Sequence, residues 1–233
     1  MADKQHLVVL TGAGVSAESG LSTFRDAGGL WEGYDIMEVA SPEGWERDPE
    51  TVLRFYNERR KAARQAQPNL AHRLLAQLED YYEVTVITQN VDDLHERGGS
   101  SKVIHLHGRL NQCRSTANPN LIYDIEGDEL NLGDTCELGS QLRPHIVWFG
   151  EMVPMFETAA AVAATADIFV IIGTSLVVYP ASGLVHYVPR DKPKYIIDPN
   201  IPPVDTIPNL TKIPLPATSG TQQLFEMLTG LSK

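Results

Sequence analysis

The chain has 233 residues, of which 42% are hydrophobic and 21% charged, and a net charge of −11. That length suits one large domain, or one domain carrying a small inserted module, with a core that needs no disulfides to fold. The composition argues against wholesale disorder, and the acidic balance argues against a general nucleic-acid binder, whose phosphate contacts need a Lys/Arg-rich face.

The opening MADKQHLVVLTGAG does not read as a signal peptide: its apolar run is short, lacks a cleavage-site pattern and enters a glycine turn. Leu7–Thr11 reads as a buried strand running into Gly12-Ala13-Gly14-Val15-Ser16-Ala17, a match to the dinucleotide pattern G-x-G-x-x-G/A. Its glycines permit a tight turn and close approach to a pyrophosphate at a helix N-terminus. They would equally serve a strand–helix turn that binds nothing. A dehydrogenase places an acid about 20 residues on, at the end of its second strand. Asp35 has that spacing but follows no apolar strand, and the next clear strand begins only near Val84. This counts against hydride transfer.

Gly28–Gln67, with a charged helix-like stretch at Pro49–Arg64, does not fit the sheet and reads as part of a small module. Asn69–Leu78 then places Leu70, Leu74, Leu75 and Leu78 at helical spacing, with Asn69 as N-cap. Val84–Thr88 is a strand ending in Gln89-Asn90-Val91-Asp92-Asp93. Capping the next helix would occupy one of these polar residues, and Asp93 is the simplest choice for it. Val103–Leu106 leads to His107 and Gly108, and a strand-terminal His beside a cleft is a candidate general base. His107 is preferred to His105 because it lies nearer the strand end.

Arg109–Arg143 is polar and belongs with the small module. The apolar tract Ala159–Gly173 is too short and too mixed to span a membrane. It contains strand Ile168–Ile172, which ends in Gly173-Thr174-Ser175; Lys194–Ile197 likewise ends in Asp198-Pro199-Asn200. Pro202–Pro216 should be extended, and Leu224–Leu231 a short closing helix. Continuous Val/Ile/Leu runs alternating with helices predict an α/β doubly wound parallel sheet whose ligands lie at the strands' carboxyl ends. Residues 1–233 are expected to form a single domain: a sheet part over about 1–27, 68–108 and 144–233, and one small module, or two neighbouring ones, over about 28–67 and 109–143. Two cysteines and no export signal point to a reducing, cytoplasmic setting.

Taken in order, Gly12-Ala13-Gly14-Val15-Ser16, Thr23-Phe24-Arg25-Asp26, Gly29-Leu30-Trp31, Thr88-Gln89-Asn90-Val91-Asp92, His105-Leu106-His107-Gly108, Phe149-Gly150-Glu151 and Gly173-Thr174-Ser175 resemble the sirtuins, NAD⁺-dependent protein-lysine deacylases. The resemblance covers nearly the whole chain. It implies a Rossmann-type domain and a small module, with NAD⁺ and the acylated lysine of a protein meeting between them. Gly12 to Ala17 would line the pyrophosphate, and Phe24, Arg25 and Trp31 would belong to the cofactor loop. Gln89, Asn90, Val91 and Asp92 would surround the nicotinamide and its ribose. Gly173, Thr174, Ser175, Asp198, Pro199, Asn200 and Ala217 would serve the adenosine side, with the ribose contact open between Asp198 and Asn200. Asn90, Asp92 and His107 would be catalytic, His107 as base. Val147, Phe149, Gly150 and Glu151 would pair by backbone with the substrate peptide, adding it as a strand. The implied products are free lysine, nicotinamide and O-acyl-ADP-ribose.

Tyr56 and Arg59 share a helix face. Read alone, Arg59 is a solvated arginine or a partner of Glu58. Within the resemblance, Tyr56-x-x-Arg59 is similar to the pair of the class III branch, which removes succinyl and malonyl groups, and an Arg beside a Tyr hydroxyl holds a carboxylate well. The pattern breaks at the metal. Sirtuins usually carry a structural zinc on two Cys-x-x-Cys pairs, whereas only Cys113 and Cys136 are present here. Four ligands are needed, so no tightly bound zinc is expected. The alternatives to a deacylase and deacetylase of this kind are mono-ADP-ribosyl transfer and a catalytically silent NAD-binding module.

Overall fold

The structure, a computed structural model, describes residues 4–22, 30, 31 and 33–231. Six parallel strands form the main sheet: β1 (His6–Thr11), β4 (Glu83–Thr88), β5 (Val103–His105), β9 (Ile168–Ile172), β10 (Lys194–Ile197) and β11 (Leu210–Ile213). Their spatial order is β11-β10-β9-β1-β4-β5. The chain therefore builds outward from β1 through β4 and β5, then returns to β1's other side through β9. That reversal makes the β1/β9 boundary the topological switch point, where a crevice opens past the carboxyl ends.

The strands are buried because successive side chains enter different cores. Leu7, Val9, Val170 and Ile172 pack on one face with α5 (Leu70–Gln77) and α8 (Ala217–Thr229). Val8, Leu10, Phe169 and Ile171 pack on the other with α7 (Phe156–Ala164) and the turn of helix at Ala181–His186. Helix α5 starts where the spacing predicts: Asn69 accepts from the Ala71 amide, and His72 completes a capping box. The strand β11 falls within the stretch expected to be merely extended, and α8 begins seven residues before the predicted Leu224. The glycine loop opens only a short helix, α1 (Gly14–Ala17).

Beside the sheet lie a two-stranded ribbon, β2 (Leu30–Trp31) with β3 (Tyr34–Asp35), and the helices α2 (Ile36–Val39), α3 (Pro42–Arg47) and α4 (Pro49–Gln65). Asp35, whose spacing suggested a ribose ligand, caps α2 by accepting from the Met37 amide at 2.7 Å. A separate antiparallel sheet has the order β7-β6-β8, from β6 (Gly108–Ser115), β7 (Ile122–Asp124) and β8 (Leu142–Ile146). Helix α4 binds this sheet to the rest. Its Val52, Phe55 and Tyr56 pack with Leu110, Ile146 and Trp148, and its Leu53 with Cys113, Ile125 and Leu130. Polar contacts reinforce the packing: buried Arg60 donates to Leu110 O at 2.6 Å and Asp128 O at 2.7 Å.

Candidate functional site

Three glycines at the switch point lock β1 and β9 together. The Gly12 amide donates to Ile172 O at 3.0 Å and the Gly14 amide to Gly173 O at 2.9 Å. A Cβ on Gly14 would lie 2.7 Å from Gly173 Cα, and one on Gly173 2.4 Å from the Val15 amide nitrogen. Gly173 also has φ +63°, in the left-handed region that side chains disfavour. The floor of the crevice is thus backbone against backbone.

Above it lies a cavity of about 660 Å³, within the size range of small-molecule and cofactor sites. It is lined by Gly12, Ala13, Gly14, Ser16 and Ala17 from the first loop, by Gln89, Asn90, Val91 and Asp92 after β4, and by His107. Gly173, Thr174, Ser175, Asp198, Pro199, Asn200 and Ala217 line it from the other half-sheet. Tyr56, Arg59, Val147, Phe149, Gly150 and Glu151 complete it from the α4 side. Val15 does not join them. Its side chain is fully buried in the core beneath the loop, because the turn of α1 directs it inward. Phe24 and Arg25 lie outside the described residues, and for Trp31 only the backbone pairing with Tyr34 is described.

The imidazole of His107 has a defined tautomer. Its Nδ1 lies 3.0 Å from Gln89 O; a carbonyl only accepts, so Nδ1 carries the proton and Nε2 keeps its lone pair. Nε2 has no partner among the described residues. Burial pushes the His107 pKa down, partly opposed by the Gln89 bond. The result is a neutral base at the cavity wall. His105 is committed elsewhere, with Nε2 2.8 Å from Glu96 Oε1 and Nδ1 3.2 Å from Asn90 O.

Asn90 and Asp92 meet at Ser16. The Ser16 hydroxyl accepts from Asn90 Nδ2 at 3.1 Å and donates to Asp92 Oδ2 at 3.2 Å. His72 Nε2 stands 3.4 Å behind it. Burial pushes the Asp92 carboxyl up, while the Leu94 amide and Ser16 pull it back. The cap at the start of α6 (Leu94–Arg97) comes from Asp92, which accepts from the Leu94 amide at 3.1 Å. Asp93 holds the N-cap position, as expected, but its side chain makes no cap bond and pairs with Arg97. Across the crevice, Gln89 Nε2 donates to Thr174 Oγ1 at 3.1 Å. At the end of β10, Asp198 is buried and accepts from the Asn200 amide, whereas Asn200 is exposed.

The α4 side departs from the expected strand pairing. The Val147 amide donates to His107 O and the Phe149 amide to Ala40 O, both at 2.9 Å. The Glu151 amide closes a turn onto Trp148 O, and Gly150 has φ +87°. A peptide added here must use other backbone groups. The Glu151 carboxylate is not open to a substrate either. It accepts from Arg143 Nη1 at 2.7 Å, Arg114 Nη2 at 3.0 Å and the Trp148 amide at 2.8 Å. Burial pushes it up, yet these partners hold it below the usual carboxylate range. Sequence reasoning did not single out Trp148, Arg143 or Arg114. An apolar residue and two strand arginines carry no local signal of a shared contact.

The two cysteines are free and buried. Cys113 Sγ packs among Leu53, Ile125 and Leu130 and faces Tyr123 O. Cys136 Sγ lies 3.2 Å from Ser115 Oγ. Among the described residues no three His, Cys, Asp or Glu side chains gather as a ligand set. Nor is any helix among the described residues long and apolar enough to cross a membrane.

Residues 12–180 match the Sir2 family. An "NAD-dependent protein deacylase" of Bacteroides thetaiotaomicron is 53% identical over 229 residues, covering 96% of this chain and 98% of its own. Among solved structures, a Sir2 homologue–NAD complex superposes with TM-score 0.87 at 40% identity, covering 98% of this chain and 91% of the other. A Sir2–p53 peptide–NAD⁺ complex superposes with TM-score 0.79 at 33% identity, covering 96% and 93%. By the family match over most of its length and the similarity to these relatives along nearly all of it, this chain belongs to the Sir2 family.

Proposed function

We propose that the chain is an NAD⁺-dependent protein-lysine deacylase that removes succinyl and malonyl groups as well as acetyl groups. The observation that carries this is a single cavity with the unprotonated Nε2 of His107 on one wall and Tyr56 with Arg59 on another. The activity named for the deacylase relative and the NAD and peptide complexes of the solved neighbours support NAD⁺ and acylated protein as co-substrates. The cavity fits a dinucleotide. It sits at the switch point over a floor without side chains, with the buried carboxylate of Asp198 at its far end.

NAD⁺, when bound, would supply an electrophilic ribose carbon with nicotinamide as its leaving group. The chain's residues do the rest. Asn90 and Asp92, joined through Ser16, would hold the nicotinamide ribose with their polar groups. His107 accepts a proton at Nε2 from a ribose hydroxyl while Gln89 O holds its Nδ1–H; general bases of this kind contribute about 10²–10⁴-fold. Arg59 offers a charge-assisted donor to an acyl carboxylate, and Tyr56 a neutral one. The two cysteines are free and buried, which suits work in the reducing cytoplasm.

The test is incubation with NAD⁺ and acetyl-, succinyl- or malonyl-lysine peptides, with products identified by mass. The expected products are free lysine, nicotinamide and O-acyl-ADP-ribose, with the acidic acyl groups turned over. ADP-ribose attached to protein with no loss of acyl groups would sink the deacylase reading. Turnover of acetyl-lysine alone would sink the acidic-acyl part.

A further inference from the structure

Tyr56 is 1% exposed, yet it lines the cavity. Its hydroxyl oxygen accepts from the indole Nε1 of Trp148 at 3.0 Å. An indole N–H donates and cannot accept, so the phenol's own proton is turned away from Trp148. Among the described residues no group accepts that proton. A buried donor left unmade is costly, and the open side of Tyr56 is the cavity.

Trp148 is itself held on several sides. The Arg143 guanidinium lies over its ring, 3.3 Å from the centroid. Arg143 is fixed in turn by Glu151 and by Ile146 O at 3.1 Å. Glu151 also accepts from the Trp148 amide at 2.8 Å, and Trp45 packs against the Trp148 ring, 5.9 Å between centroids. The indole N–H therefore has a fixed position.

From this geometry we infer that Trp148 is a specificity-positioning residue: its N–H occupies the Tyr56 oxygen so that the phenol proton is presented to the far end of the acyl chain. The ligand chemistry selected is an acyl group ending in a hydrogen-bond acceptor, above all a carboxylate. An acetyl group ends in a methyl and leaves the proton unmatched. Arg59 attracts the negative charge, and Trp148 acts through Tyr56 to fix where the second bond is made. Burial keeps the phenol protonated by pushing its pKa up, so the donor persists at neutral pH. The inference rests on the acidic-acyl reading and adds a residue that acts through Tyr56.

The experiment is steady-state kinetics at saturating NAD⁺ on one peptide carrying either succinyl- or acetyl-lysine. The enzymes are wild type, Tyr56→Phe, Arg59→Met, Trp148→Phe and the Tyr56→Phe/Trp148→Phe pair. Trp148→Phe should lower the succinyl-to-acetyl ratio of kcat/KM about fivefold, mainly through KM, as expected for one neutral hydrogen bond. In the Tyr56→Phe background the same change should lower that ratio no further, because there is no phenol proton left to orient. Should Trp148→Phe fail to fold, a benzothienyl analogue of the indole at position 148 keeps the shape and removes only the N–H. An unchanged ratio in Trp148→Phe, with Tyr56→Phe lowering it, overturns the inference and leaves the acidic-acyl reading standing. Losses that multiply in the pair overturn it too, by showing that Trp148 acts independently. If neither Tyr56→Phe nor Arg59→Met moves the ratio, the acidic-acyl reading fails and this inference falls with it.

Discussion

At the scale of single residues, the His107 tautomer ties a backbone carbonyl to a rate. His107→Ala should lower deacylation about 10²–10⁴-fold while thermal unfolding and NAD⁺ binding stay close to wild type, since the side chain's one bond is to Gln89 O. Normal turnover would remove it from the mechanism. The pH profile carries a second expectation. Burial lowers the His107 pKa, so the base stays neutral below the ordinary histidine value of about 6.5. The acid limb of kcat/KM should therefore fall below that value, and a limb above it would contradict the burial. The location of His107, just past a strand and on the cavity wall, was legible. Trp148 was not, because its bond reaches Tyr56, 92 residues away in sequence. Asp93 stands at the expected N-cap position of α6, but the side-chain bond to the helix start comes from Asp92. Neighbouring identical residues are told apart only by the path of the loop.

At the scale of elements, strands were readable where both faces are buried, as in Ile168–Ile172, in which every residue is buried. The strand Leu210–Ile213 was not, since Thr211 and Lys212 are exposed and prolines flank it. The N-terminal half of α8 was also missed. Thr218, Ser219 and Gly220 are weak helix formers, and the start is held by a distant residue: Glu18 accepts from the Thr218 amide at 2.9 Å and from its hydroxyl at 2.7 Å. The glycine floor yields a comparison. Gly173 and Gly127 both have positive φ, +63° and +79°, but an added Cβ at Gly127 meets nothing within 4 Å. Gly127→Ala should cost about 1–2 kcal/mol from backbone conformation alone. Gly173→Ala adds a collision between backbones and should cost about 3 kcal/mol or more, with loss of NAD⁺ binding. Urea unfolding of the two variants measures the difference; equal costs would mean that the floor yields.

For the molecule as a whole, the small sheet is tied down by packing on α4 and by Arg60, Asn57 and their backbone partners. Purified protein should hold well under one zinc per chain, and a chelator should leave its unfolding temperature unchanged. One firmly held zinc whose removal destabilises the chain would defeat this. Stability should also fall in mild acid. Burial lowers His72 to about 4 and His95 well below the ordinary value. The unfolded chain thus takes up their protons first as pH drops from about 6.5, and each such histidine removes about 1.4 kcal/mol per pH unit down to its folded pKa. Asp92, raised by burial, opposes this in part. Urea midpoints at pH 7 and pH 5 decide the balance, and a higher midpoint at pH 5 would show that the carboxyl dominates.

The meeting of Gly12 and Gly14 with Gly173 also limits how this enzyme can diversify. A binding floor made only of main chain offers no side chain to exchange, and any replacement there enlarges a residue that has no room. New acyl preferences must therefore arise on the walls. Tyr56, Arg59 and Trp148 line the same cavity without belonging to the glycine floor. Selectivity is free to drift while the hold on the co-substrate stays pinned, and a library randomised at those three positions should give many altered specificities for each lost NAD⁺ site.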